Sequence, residues 1–387
     1  MNKKLMALAV AGALTAPAAA LAQVQIGGGI TLLYFQNDPD NSSQGQKSDV
    51  MQSSESELRI SGTEKLGGGL EVWFQCATSM DGMIGGAATT SFACGRNSGI
   101  GFRGGFGNVF VGNWDTPTKL VQNRVRGWFS GTNALVGGGH TLLGGSSASG
   151  AVNSSVTGGG TAGTSFYRRQ ANTVNYWSPN FGGFSVAAAF SAANETVALP
   201  ESSSLNPRLM GINGVYAAGP LWVGAAYEKH DDYNPGVQTS TQYSGGTDDN
   251  ITVGAGYTFA GTINVRASYS KSTYEPLNSG DTEVKGYAAY ADWQIAGPHA
   301  LHFAYITVDD VSGSALVPVG VYSAPGSSTG GDVTTLAYSF DFSKRTQIFF
   351  AYNQMKNDTN AKFSQGVVSA SLGGKQKAMG IGLKHSF

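Results

Sequence analysis

The sequence predicts an all-β protein, a 16-stranded antiparallel transmembrane β-barrel. Three observations lead there. Short segments alternate apolar residues with polar or small ones, the period of a strand with two unlike faces. The connectors alternate between tight turns and long polar loops. The composition suits neither a soluble domain nor a helical membrane protein. Of 387 residues only 13% are charged and 56 are glycine, against about 25% charged and about 7% glycine in ordinary domains. After the first 25 residues no apolar run approaches the ~18 residues of a helical span. A net charge of −1 leaves no basic footprint for a nucleic acid. With 16 Tyr, 19 Phe and 6 Trp the chain is too aromatic to be disordered, and its glycines lack the G-X-Y period of collagen.

In chain order, the first element is an address. Met1-Asn2-Lys3-Lys4 gives a positive start and Leu5 to Ala16 an apolar stretch. Ala20-Leu21-Ala22 then supplies the small-x-small cleavage pattern of a secretory signal peptide. Residues 1–22 are expected to be removed, leaving 23–387 as one barrel domain. Export favours an oxidised pair between Cys76 and Cys94, the two cysteines of the chain. Two reduced, buried thiols are the alternative.

The strands follow. Leu58-Arg59-Ile60, Leu70-Glu71-Val72-Trp73-Phe74, Ile251 to Phe259, Ile263 to Tyr269 and Met379 to Leu383 all alternate with period two. No stretch shows a sustained helical period. Short turns are expected at 65–69, 104–107, 180–183, 218–220, 260–262, 296–298 and 341–344. Long connectors are expected at about 37–54, 81–95, 116–166, 194–207, 231–247, 273–282, 310–331 and 357–374. Seven turns and eight loops join 16 strands. That leaves about 23 residues for each strand with its connector, enough for a tilted crossing of ~9–11 residues.

Lipid is the solvent that explains both faces. Closure hides the edges of a long meander and lets the backbone satisfy its own hydrogen bonds. An apolar outer wall and a water-filled lumen account for the alternation. Aromatics near strand ends, at Tyr176, Trp177, Phe181, Phe184, Tyr257, Phe259, Phe340 and Phe342, suit interfacial girdles.

Four motifs resemble the 16-stranded general-diffusion porins of the Gram-negative outer membrane, of the type common in β-proteobacteria. They are Ser56 to Leu70 (SELRISGTEKLGGGL), Arg96 to Gly112 (RNSGIGFRGGFGNVFVG), Asn172 to Phe184 (NTVNYWSPNFGGF) and Gly380 to Phe387 (GIGLKHSF). The resemblance implies short periplasmic turns, long extracellular loops and a third long loop folded into the lumen. It further implies a homotrimer set among outer-membrane lipid and lipopolysaccharide. The terminal Phe387 would be read by the outer-membrane assembly machinery. The function implied is passive diffusion of small hydrophilic solutes and ions, without cofactor or reaction.

In the family the third loop brings carboxylates to face arginines on the wall. Here Thr116 to Phe166 holds no Asp or Glu and carries Lys119, Arg124 and Arg126. Asn113 and Asn175 stand where relatives often have arginine. Alternation places Glu57 and Arg59 (with Glu55), Glu71, Arg103 and Arg169 on the lumenal face, and Asp115 precedes the loop. Rings of charge in a narrow, low-dielectric pore bias which ions enter. The expectation is a mild anion preference, with Thr116–Asn133 holding the constriction and part of the Gly/Ser-rich 137–165 looped outward.

Other strings carry little chemistry. Gly99-x-Gly101-x-x-Gly104 fits a dinucleotide fingerprint, but strand residues follow where that site needs a helix. Asp231-Asp232, Asp248-Asp249 and Asp309-Asp310 are expected to be solvated loop acids. The adjacent His230–Asp231 is expected to be exposed in a loop. No H-E-x-x-H or G-x-S-x-G is present, so no metal or catalytic residue is assigned. A substrate-specific channel of the same fold, a barrel enzyme and an adhesin are the alternatives.

Overall fold

The computed structural model describes residues 24–39, 47–80, 93–131, 142–143, 165–191, 208–231, 246–276, 280–316, 318–319, 322–363 and 372–387. The expected leader 1–22, most of 137–165 and Asp232 lie outside them. The strands are β1 (Gln25–Pro39), β2 (Ser48–Ser53), β3 (Glu57–Gly67), β4 (Leu70–Ser79), β5 (Ser98–Gly104), β6 (Gly107–Asp115), β7 (Arg169–Trp177), β8 (Phe184–Ser191) and β9 (Arg208–Ala218). They continue with β10 (Leu221–Asp231), β11 (Gly246–Phe259), β12 (Ile263–Pro276), β13 (Thr282–Ala296), β14 (His299–Val308), β15 (Ser312–Gly313), β16 (Gly331–Ser343), β17 (Thr346–Asn357) and β18 (Lys375–Ser386). Between β6 and β7 stands a helix, α1 (Pro117–Arg126), followed by a 3-10 turn, Gly127–Gly131.

Every pairing is antiparallel, and β1 closes on β18 from Gly29↔Ser386 to Pro39↔Gln376. Two of the eighteen segments are not separate staves. β1 pairs with β3 through its first half and with β2 through its second, so β2 and β3 make one interrupted strand. At the break Ser56 Oγ takes the Thr31 amide at 2.9 Å, and Glu55 adopts a positive φ of 54°. β15 is a two-residue addition to β13. Sixteen staves remain among the described residues, in a closed barrel.

The two faces differ as lipid and water require. Along β11, Ile251, Val253, Tyr257 and Phe259 are exposed outward, while Asn250 and Thr252 are buried inward. Asn250 donates to Ser270 and Ser272 at 2.9 Å each, across to β12. A water-soluble fold would reverse this arrangement; in hydrocarbon, ladder pairing around a closed barrel satisfies the strand backbone while apolar side chains face out.

Several expectations need correction. The expected 9–11 residues hold for β3, β4, β6, β7, β9, β10 and β14, but other strands outrun them; β13 has 15 and β11 and β12 have 14. The long reach of β10 and β11 takes His230 and Asp248 out of the loops: both are buried, and His230 Nε2 meets Glu228 Oε1 at 3.0 Å. Asp231 engages Lys229. Trp177 is no girdle residue, because it pairs with Asn108 and Ala187 on the inward face.

The lumenal loop also contains a helix that alternation alone did not predict. Thr116 is extended before Pro117, which suits the first helical position. Thr118, Val121, Gln122 and Val125 form the buried stripe at helical spacing. Gly127 ends the helix with φ 54°. That stripe lies against the inner wall of β8–β12, and the approach is close: a Cβ at Gly254 would stand 2.6 Å from Val125 Cγ2. Beyond the helix an apolar core fills one side of the barrel, joining Phe129, Tyr290 and Phe349 to Phe166, Tyr274, Tyr322 and Phe363.

Candidate functional site: the lumenal neck

The candidate site is built from the root of α1 outward. Asp115, the last residue of β6, is buried and holds two cations. Lys119 Nζ lies 2.8 Å from Oδ1 and Arg169 Nη2 lies 3.3 Å from it. Asn97 joins them, donating to Asp115 Oδ2 at 3.1 Å and accepting from Arg169 Nε at 2.6 Å. Burial pulls the Lys119 ammonium below its usual pKa, and the Asp115 carboxylate opposes that pull. Next to this group Arg96 bridges Glu55 and Glu57, and Arg59 also engages Glu57. The break between β2 and β3 is what brings Glu55 within electrostatic reach of Lys119.

The far end of α1 is held by a guanidinium. Arg266 on β12 donates from Nε to the Val125 carbonyl at 2.6 Å and from Nη1 to Asn264 Oδ1 at 2.7 Å. It also reaches the Arg126 carbonyl at 3.5 Å. A cation suits these orphan carbonyls and the negative end of the helix dipole. The positive φ favours glycine at Gly127, and a Cβ there would lie 2.5 Å from Arg266 Cζ, so the guanidinium would have to shift. Asp292 pairs with Arg266 and takes His302 Nδ1 at 2.7 Å. His302 stacks on Trp128 at 3.9 Å, and Trp128 Nε1 donates to Gln347 at 2.8 Å. The loop is thus pinned across the lumen, from β6 to β12, β14 and β17.

The three cations of α1 occupy different surroundings. Lys119 and Arg126 both lie over the Tyr167 ring, at 4.7 and 4.9 Å. Arg126 is 3% exposed and donates to the Tyr167 hydroxyl and the Phe129 carbonyl. Burial raises the Tyr167 pKa, which keeps the phenol neutral. Arg124 is exposed, its guanidinium 5.0 Å above the Trp222 ring, and no carboxylate pairs with it among the described residues.

The structure therefore gathers Glu57, Arg59, Asp115, Lys119 and Arg169 at one root and sets Arg124 further along α1, over Trp222. It does not bring Glu71 and Arg103 there. Their pair, 2.7 Å apart, stands beside the short turns. Arg103 is register-paired with Asn108 near the start of β6, on the order of 20 Å along the strand from Asp115. Asn113 and Asn175 serve the fold, bonding the Gly95 carbonyl at 3.1 Å and Thr173 Oγ1 at 2.7 Å. Cys76 and Cys94 are disulfide-bonded, 18 residues apart.

Sequence reasoning passed over Arg96, Arg266, Asp292 and Lys384. Lys384 pairs in register with Thr31 and Gln347 on the lumenal face, and no ion pair engages it among the described residues. Parity could have found two of them. Lys384 follows Leu383 with the same alternation used for Arg59, and Arg266 alternates with Val265.

Comparison with known proteins places this architecture. A sequence profile of the family described as Gram-negative porin matches residues 7–360. Outer membrane porin protein 32 of Delftia acidovorans is 26% identical over 398 residues, covering 100% of both chains. The anion-selective porin from Comamonas acidovorans superposes with a TM-score of 0.72 at 21% identity, over 95% of this chain and 100% of that one. The trimer form of OmpT from Vibrio cholerae gives 0.61 at 13% identity, over 95% and 99%. Closed barrel, lumenal loop and profile agree: the chain belongs to the Gram-negative porin family, non-enzymatic β-barrel channels of the outer membrane.

Proposed function

We propose that this porin is a passive channel for small hydrophilic solutes with a mild preference for anions. The observation that carries this reading is the imbalance at the neck. α1 presents three cations and no carboxylate. The acids packed around it are already engaged, Asp115 with Arg169 and with Lys119 of α1 itself, Glu57 with Arg96 and Arg59, and Asp292 with Arg266. Arg124 and Lys384 are left to act on the lumen. In a narrow, low-dielectric passage two such charges raise the local anion concentration. The anion-selective relative of Comamonas acidovorans points the same way.

The mature chain begins after Ala22 and assembles as a homotrimer of independent pores, as the trimer form of the Vibrio cholerae relative suggests. Phe387, whose amide and carbonyl both bond Gly28 at 3.1 Å, seals the barrel seam and serves as the assembly signal. In planar bilayers the purified protein is expected to insert in large steps, close in three levels, and give a chloride-favouring zero-current potential across a KCl gradient. Large steps with a potassium-favouring potential would refute the anion preference and leave the channel; inserted protein without conductance would refute both.

A further inference from the structure

Tryptophan in a membrane barrel is expected at the lipid interface. Here Trp293 alone of the six tryptophans is exposed on the outer face, and the other five point inward. Trp128 and Trp222 hold the loop. The remaining three form a group on the wall of β4–β7. Trp73, Trp114 and Trp177 surround Phe110, with ring centroids 5.3, 5.0 and 5.1 Å from it and edge-on geometry between the tryptophans. Phe110 is buried, while the tryptophans keep part of their surface open. The patch is a built feature. A Cβ at Gly101 would stand 2.3 Å from Phe110 Cβ, so the glycine opposite makes room for the ring.

An arginine in an ion pair stands at each end of this aromatic wall. At the neck, Trp114 adjoins Asp115 and its partner Arg169. At the turn side, Asn108 is paired in register with both Trp177 and Arg103, and it accepts from Trp73 Nε1 at 2.8 Å. Arg103 commits Nε to Glu71 and Nη2 to Thr63. Its side chain is 48% exposed, and Nη1 remains available among the described residues. Apolar ring surface left against lumenal water is unfavourable in the empty pore, and a flat apolar solute would cover it.

We propose that this wall is a binding track for aromatic carboxylates, the ring lying on Trp73 and Trp177 and the carboxylate on Arg103. A guanidinium with a spare in-plane donor matches a carboxylate, and indole faces and edges match an arene. The proposal rests on the porin reading and narrows it to a solute class that such a pore would enrich.

The test is block of KCl conductance in planar bilayers by benzoate, with acetate as the ring-less control. Benzoate is expected to reduce conductance saturably and acetate to leave it unchanged. Trp73→Leu and Trp177→Leu should each weaken half-block by about three- to tenfold, Trp→Phe at either position should retain most of it, and Arg103→Gln should weaken it as well. Equal block by acetate, no block by benzoate, or benzoate block unchanged in a conducting Trp73→Leu/Trp177→Leu double variant would overturn the track and leave the porin standing. Loss of KCl steps from inserted wild-type protein would instead remove the channel reading itself.

Discussion

The two ends of α1 are held by opposite charges. At the root a carboxylate, Asp115, gathers Lys119 and Arg169; at the far end a guanidinium, Arg266, gathers helix carbonyls and Asp292. The difference teaches where the pore's field comes from. Cations at both ends are consumed in holding the loop, and so is Arg126 beneath Tyr167. Arg124, near the far end of the helix and over Trp222, is exposed and pairs with no carboxylate among the described residues, and the proposed field rests on it. Counting basic residues in the loop therefore overstates the lumenal charge, and position decides which of them matter.

Breaking the far end should have the largest effect. Arg266→Met strips the helix terminus of its donor and leaves Asp292 with His302 alone, at a cost of about 3–5 kcal/mol by the usual penalty for a broken buried pair. Denaturant titration of the vesicle-inserted protein should show it, together with proteolysis near Gly127–Gly131. Asp115→Asn attacks the root and should cost about 3 kcal/mol, with a distinct signature. Two released cations should shift the zero-current potential further toward chloride, whereas Arg266→Met removes a cation. If both variants shift the potential alike, the contrast between the ends is wrong.

Cys76→Ser/Cys94→Ser should lower stability by about 3 kcal/mol, from a constraint spanning 18 residues. It should leave selectivity untouched, since the bond lies apart from α1. The smallest stability effect should come from Arg124→Gln, under about 0.5 kcal/mol as for an exposed side chain, measured in the same titration.

Much of this molecule was legible in its sequence. The period-two pattern and the turn–loop rhythm gave the barrel, and parity placed Glu57, Arg59, Glu71 and Arg103 on the inner face, where register puts them. The same parity applied to Trp73, two residues from Glu71, or to Trp177, two from Asn175, would have turned both inward; reading Trp177 as a girdle aromatic overrode it. The helix was harder to see. Ten residues with a four-position stripe are too short to stand out in a chain dominated by strands. What no local pattern holds is distance. Arg126 is buried because Tyr167 folds back over it, and α1 ends where it does because Arg266 lies about 140 residues further on. Partners that remote decide whether a cation serves the fold or the pore.

The most direct test is the zero-current potential of Arg124→Glu beside wild type in a KCl gradient. The account predicts a chloride-favouring wild type and a clear movement toward potassium in the variant, with stability nearly unchanged. An unchanged potential in a well-folded, conducting variant would contradict it.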